Sequence, residues 1–305
     1  MELPPDQHHH FTHQYFNNYT TMFTTPFAFM TAPAGGYDPD AQAYIDAVIA
    51  AGGTLSSPNQ DAINTLFVDL KTAGVYAKTV MMYPYTGNTQ NSNAIEGLNP
   101  GTNNITFNTV TGSWTFNSNG ATPALQGWAT NGVYLNTVLT TNNAAIFTYL
   151  GGTDNPFSGD YVIDFGTADN LGVNGLNGLI GGSSQPDQNS YFYNNDGGAT
   201  RIVISSSSIP NGIGAILINR TSANLFNVWR NGTKLATDTD TNGGVLPSVN
   251  PLYMPAPPFV IDYVNKYSSR RHQFDWVGEG LNDTEATDLY TIVNDFQTAL
   301  GRNVY

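Results

Sequence analysis

The chain has 305 residues, of which only 11% are charged, and 23 acids against 10 bases leave a net charge of −13. That length suits one large all-β domain with an appendage, or two modest domains. No Lys or Arg occurs before Lys71 and none lies between Lys78 and Arg201, so the basic stripe that phosphate contacts require is missing and nucleic acid is not an expected partner. The absence of cysteine rules out disulfides, thiolate metal sites and cysteine nucleophiles. No apolar run approaches the ~20 residues needed to span a bilayer. Met1-Glu2-Leu3-Pro4-Pro5 has neither the positive region nor the apolar core of a signal peptide. Asn, Thr, Ser and Gly carry the polarity, a composition suited to short strands joined by turns.

Residues 1–36 form an arm with no clean 3.6 or 2.0 period. His8, His9, His10 and His13 sit among Phe11, Tyr15, Phe16, Tyr19, Phe23, Phe27 and Phe29. Such rings have little of their own to pack on, so the arm is expected to attach the chain to a neighbouring protein; a tail folded onto its own domain is the alternative. The histidine cluster could hold a transition metal where chains meet on a symmetry axis, although a solvated or packed run is the plainer reading.

Residues 37–100 read as a helical segment. Asp38 with Pro39 opens one helix whose stripe is Tyr44, Ile45, Val48 and Ile49, and Gly52-Gly53 ends it. Ser57-Pro58 opens a second, with Ile63, Leu66, Phe67 and Leu70 on one face and Gly74 as the stop. A short third helix is expected from Val75 to Met82, ended by Tyr83-Pro84.

From residue 101 onward short strands recur, separated by Gly, Asn and Asp clusters, the mark of an antiparallel sandwich or barrel. They are expected at 105–110, 113–117, 132–138, 145–150, 160–166, 176–181, 190–194, 200–205, 213–219, 223–230, 233–237, 258–264 and 270–277. Asn231-Gly232 reads as a two-residue type I′ hairpin. A final helix over 283–300 is capped by Asn282 with Glu285 three residues on, and Leu289, Ile292, Val293, Phe296 and Leu300 form its apolar face.

Three ordered blocks carry a resemblance. The last runs from Arg271-His272-Gln273-Phe274-Asp275-Trp276 through Gly278-Glu279-Gly280-Leu281-Asn282-Asp283-Thr284-Glu285-Ala286 to Leu300-Gly301-Arg302. The first is Asp40 to Ile45, Ala62 to Leu66 and Val68 to Lys71, followed by Met82-Tyr83-Pro84-Tyr85-Thr86-Gly87; the second is Gly112-Ser113-Trp114-Thr115 leading to Asn119 to Pro123. Together they resemble bacteriophage structural proteins (fibres, spikes and head-decoration proteins) with a concanavalin A-like lectin/glucanase domain. The resemblance implies a mainly β, two-sheet jelly-roll sandwich over 101–305 and a place on the virion surface. Residues 1–36 fall outside the resemblance; the arm is expected to bind other virion proteins, a homo-oligomer is expected with a trimer favoured, and host-surface glycans are candidate ligands. A dedicated glycan-binding, receptor-binding module is the alternative.

Catalysis is not expected. Glucanases of this fold are similar to one another in a Glu-x-Asp-x-x-Glu strand, retaining carboxyl pairs standing about 5 Å apart. Glu2, Glu96, Glu279 and Glu285 do not form that strand. Asp275 and Glu279 are the nearest pair, and turn bonding accounts for them. By alternation His272 shares a face with Phe274 and Trp276, which makes it a core histidine. No nucleophile elbow or phosphate-cradling loop occurs. Asp238, Asp240 and Asn242 copy the start of a calcium loop but Val249 occupies the twelfth position, where a bidentate acid belongs; a surface hairpin is preferred, with Ca2+ as the one candidate cofactor. For glycan stacking the candidates are Trp128 and the run Tyr191, Tyr193, Asn194, Asn195 and Asp196 beside a turn.

Overall fold

The computed structural model describes residues 36–109, 113–124, 127–152, 162–168, 178–183, 190–194, 201–204, 212–241, 246, 248, 251–253 and 268–304. The aromatic arm with its histidines, the strand expected at 258–264, and Asn195, Asp196 and Asn242 lie outside them.

Helix α1 (Pro39–Ala50) begins where the Asp38 carboxylate accepts the Asp40 and Ala41 amides. Tyr44, Ile45 and Val48 are buried, whereas Ile49, expected in the same stripe, is 47% exposed. Helix α2 (Ser57–Thr72) is capped by Ser56, one residue before the expected cap, and buries Ile63, Leu66, Phe67 and Leu70. The third helix is a correction. Only one 3-10 turn forms, Tyr76–Lys78, and strand β1 (Thr79–Tyr83) follows. Its run of Thr, Val and Met has no helical cap, and pairing with a later strand satisfies its backbone instead. Helix α3 (Gln90–Asn93) is a single turn under Thr89.

Among the described residues the remaining strands are β2 (Thr106–Phe107), β3 (Trp114–Asn117), β4 (Gly120–Pro123), β5 (Ala129–Thr130), β6 (Ala144–Gly151), β7 (Val162–Ala168), β8 (Gly178–Ser183), β9 (Ser190–Asn194), β10 (Arg201–Ile204), β11 (Gly214–Ser222), β12 (Leu225–Arg230), β13 (Thr233–Asp238) and β14 (Arg271–Gly278). The strand expected at 132–138 is instead a loop with a 3-10 turn, Leu135–Thr137. Asn131 starts it by accepting the Val133 amide on its own side chain, the Asx turn that diverts a backbone from a ladder. Conversely β1, β4 and β5 had no counterpart among the predicted strands.

The fold is the expected mainly β sandwich. The large sheet runs β13-β12-β11-β6-β14-β4-β3 with β1 also on β14, and a second sheet runs β10-β9-β8-β7; all pairs are antiparallel. The Arg230-Asn231-Gly232-Thr233 hairpin turns as predicted, with φ of 48° at Asn231 and 74° at Gly232.

Each face of the large sheet has its own core. On one, Phe147, Tyr149, Leu217, Trp229, Phe274 and Trp276 pack against α1, α2 and α4 (Asp283–Ala299). On the other, Ile146, Ile216, Ile218, Val228 and Val277 meet Phe165, Ile202 and Ile204 of the second sheet. Strand β6 is therefore buried at every position, which is why it reads as a continuous apolar run rather than an alternation. The α4 capping box closes as predicted, Glu285 N to Asn282 Oδ1 at 3.0 Å and Asn282 N to Glu285 Oε2 at 2.8 Å. No helix among the described residues is long and apolar enough to cross a membrane.

Candidate functional site

Trp128 stands immediately before β5 and is half-buried. Its ring meets Tyr253 edge-on, centroids 5.7 Å apart, and its carbonyl accepts the Asn108 amide at 2.9 Å. Tyr253 exchanges two backbone hydrogen bonds with Gly166 of β7, each 3.0 Å, so the Trp128 ring rests on a sheet-anchored partner. Tyr253 is 8% exposed, and burial together with neighbouring Tyr134 raises its hydroxyl pKa. Tyr134 itself is 38% exposed, in the loop that replaced the expected strand, and Val138 is 41% exposed. Sequence reading found Trp128 but missed Tyr134 and Tyr253. The useful signal was the Asn131-Gly132 turn, which takes Tyr134 out of a strand.

Tyr191 and Tyr193 lie on β9, in register with Gly182 and Ile180 of β8 and with Val203 and Arg201 of β10; Asn194 pairs with Leu179. They thus belong to the four-stranded sheet, while β5, next to Trp128, pairs with β2. Asp238 ends β13, and its Oδ1 accepts the Asp240 amide at 2.8 Å. Among the described residues no group of three or more His, Asp or Glu side chains is placed to hold a metal.

The C-terminal block forms a buried polar centre, and two expectations are corrected there. A bulge between His272 and Phe274 breaks the register of β14 against β6, so His272 does not share a face with Phe274 and Trp276. Instead its Nδ1 lies 2.8 Å from Asp275 Oδ2, and its ring stands 6.1 Å from that of Tyr85. Asp275 is a strand residue with no solvent exposure, not a turn residue. Tyr85 donates to its Oδ2 at 2.6 Å and the Thr148 hydroxyl donates to Oδ1. Burial, with the adjacent Asp275 carboxylate, pushes the Tyr85 hydroxyl well above its ordinary pKa. Both oxygens of Asp275 are thus engaged from within, while His272 Nε2 is buried with no partner among the described residues. Glu279 lies apart from this centre, accepting from Asn143 Nδ2 at 3.1 Å.

The extra residue of the bulge, Gln273, has a physical reason. Gly151 leaves it room, since a Cβ there would stand 2.0 Å from Gln273 Oε1. The Gln273 carbonyl accepts Arg302 at 2.8 Å. Arg302 also donates to the carbonyls of Pro84, Tyr85 and Ser118 and to Gln297 Oε1. Burial pulls its pKa down to about 9, still protonated at neutral pH. A second buried pair, Arg270 Nη1 to Asp164 Oδ2 at 2.7 Å, links the segment before β14 to β7.

No protein-family model matches the chain, and no curated protein matches it. Solved structures do. A Trypanosoma rangeli sialidase in complex with 2,3-difluorosialic acid, a covalent intermediate, is 12% identical over 76% of this chain at a TM-score of 0.50. The same sialidase with the inhibitor DANA scores 0.47 at 12% identity, covering 76% of this chain and 38% of that one. The binding domain of botulinum neurotoxin serotype G scores 0.42 at 16% identity, covering 70% of this chain and 51% of that one. The chain spans 38% of the length of the first of these, and identity this low establishes the fold alone. One expectation is corrected by it. That the chain is not an enzyme rested on a missing Glu-x-Asp-x-x-Glu strand and on finding no nucleophile elbow or phosphate-cradling loop, and one fold neighbour is a sialidase caught as a covalent intermediate. The missing glucanase strand therefore gives no ground for setting catalysis aside.

Proposed function

We propose that the chain is a lectin-like, glycan-directed sandwich on the surface of a phage virion, as a head-fibre, decoration or tail-fibre subunit. One observation carries the glycan part: Trp128 is only half-buried, and its ring rests edge-on against Tyr253, whose backbone is bonded to β7. A pyranose offers an apolar C–H face to such a ring, and a ring already resting on a partner loses little entropy on binding. The phage setting is supported by the three sequence blocks, and attachment by the charge-poor aromatic arm at residues 1–36. Probing the intact protein on arrays of bacterial surface polysaccharides tests the first claim, and absence of binding to every one would remove it. Immunogold labelling of particles, with and without residues 1–36, tests the second. A truncated chain that still decorates virions would show that attachment lies elsewhere.

A second reading is favoured by the sialidase likeness. The sandwich then forms part of, or accompanies, a sialoside-cleaving protein, and fluorophore release from a sialic acid conjugate by the purified chain would support it.

A further inference from the structure

We propose that Trp114, Trp128 and Tyr134 form one strip that binds a neutral oligosaccharide, with Tyr253 as its floor. The inference rests on the glycan-directed reading above and adds the site and the ligand's charge. Trp114 and Phe116 alternate on β3, both half-buried, with rings 6.0 Å apart and nearly parallel at 14°. Phe107 braces both edge-on at 4.8 Å.

Trp114 and Trp128 are mechanically joined. The Trp114 indole donates to the Asn108 carbonyl at 3.1 Å, and the Asn108 amide donates to the Trp128 carbonyl at 2.9 Å. Gly127 closes the gap, since a Cβ there would stand 3.3 Å from Trp114 Cε2 and 3.0 Å from Pro123 Cβ. The backbone entering Trp128 therefore lies against the Trp114 ring. Trp128 meets Tyr253 edge-on, and the Leu252 amide donates to the Val133 carbonyl at 2.9 Å, which ties the loop carrying exposed Tyr134, Asn136 and Thr137 to the residue before Tyr253.

Charge selects the occupant. No Asp, Glu, Lys, Arg or His occurs between Glu96 and Asp154, so the stretch that supplies Trp114, Trp128 and Tyr134 brings no cation of its own to an acidic sugar, and the net charge of −13 repels polyanions. A neutral oligosaccharide fits, stacking successive rings on the aromatics and turning its hydroxyls to the amide and hydroxyl groups beside them.

The test uses the full chain and arrays of glucose, galactose and N-acetylglucosamine oligomers of increasing length, with sialylated counterparts. Binding is expected to prefer the neutral oligomers and to strengthen with length. Trp114→Ala and Trp128→Ala should each weaken it about tenfold or more, the scale of one lost stacking partner. Trp128→Phe should lose less, and exposed Tyr134→Ala a few-fold, with melting temperatures confirming folded protein. Should Trp128→Phe and Tyr134→Ala bind like the wild type, the strip is refuted while the glycan-directed reading stands. A preference for sialylated oligomers overturns the neutral-ligand assignment. Binding to no glycan at all overturns the strip and the reading together.

Discussion

The stretch from Glu96 to Asp154 and the stretch from Ser268 to Arg302 belong to the same sandwich and use polarity in opposite ways. The first has no charged side chain between its two ends and keeps half-buried aromatics at the surface. The second puts Arg270, His272, Asp275 and Arg302 at 5% exposure or less. Buried charge is costly unless it is held, and here each member is held: Arg270 by Asp164, Asp275 by Tyr85, Thr148 and His272, Arg302 by four carbonyls and Gln297. The difference separates two kinds of signal. The C-terminal stretch is an internal fastening of the fold, whereas the stretch from which the proposed strip is drawn carries no charge between its ends.

Breaking the fastening should give the largest effects. Arg302→Ala takes away the side-chain donor to the buried carbonyls of Pro84 and Tyr85 and leaves that of Gln273 with only the longer bond from Gln297 Nε2 at 3.5 Å. Loss of about 3–5 kcal/mol is expected in urea unfolding, since each stranded buried acceptor costs about 1–3 kcal/mol. Arg302→Lys should not restore it, because one ammonium cannot reach carbonyls from three separate segments. Asp275→Asn comes next, at about 3 kcal/mol, because an amide offers one acceptor oxygen where Tyr85, Thr148 and His272 now share two.

Glu96 borders the charge-free stretch and is buried, accepting the amides of Met82, Leu98 and Asn99. Burial outweighs those bonds and raises its pKa. Folded protein therefore binds the proton more tightly than unfolded protein does. That contribution is fully present below the ordinary carboxylate pKa and is lost as pH rises through the raised folded value. Glu96→Gln should flatten this part of the stability–pH profile, read by denaturant unfolding between acid and neutral pH, and should cost about 2 kcal/mol because its amide nitrogen cannot accept the backbone amide that the second carboxyl oxygen takes.

How much of this was legible follows from range. Asp38, Asn282 with Glu285, and Asn231-Gly232 act within four residues, and their effects were readable as local chemistry. The β14 bulge was not, because Gly151 and Arg302, far away in the chain, make room for Gln273 and bind it, and that shift turns His272 toward Asp275. Strand β1 was read as helix because its partner, β14, lies about 200 residues away. The aromatic strip was half legible. Trp128 stood out beside a glycine, but Tyr253 reaches it through pairing with Thr130 and Gly166, and Trp114 through Asn108 and the Gly127 backbone, none of which the local sequence announces.

The smallest expected effect sharpens the comparison most. Trp128→Ala removes the chain's largest kind of side chain, a change that in a core costs about 3–5 kcal/mol. Here the ring is half-buried and touches Tyr253 by an edge, so much of its apolar area is already in water. A loss of about 1 kcal/mol follows, mainly the edge contact and the covered fraction of the indole. The same substitution at Trp276, which has no exposure and donates its indole N–H to Thr79 at 2.8 Å, should cost the full core amount. Equal losses at the two tryptophans in parallel denaturant titrations would show that the charge-free stretch is held as tightly as the C-terminal one. A small loss at Trp128 alongside a large one at Trp276 would show that this surface keeps an aromatic ring for something other than stability.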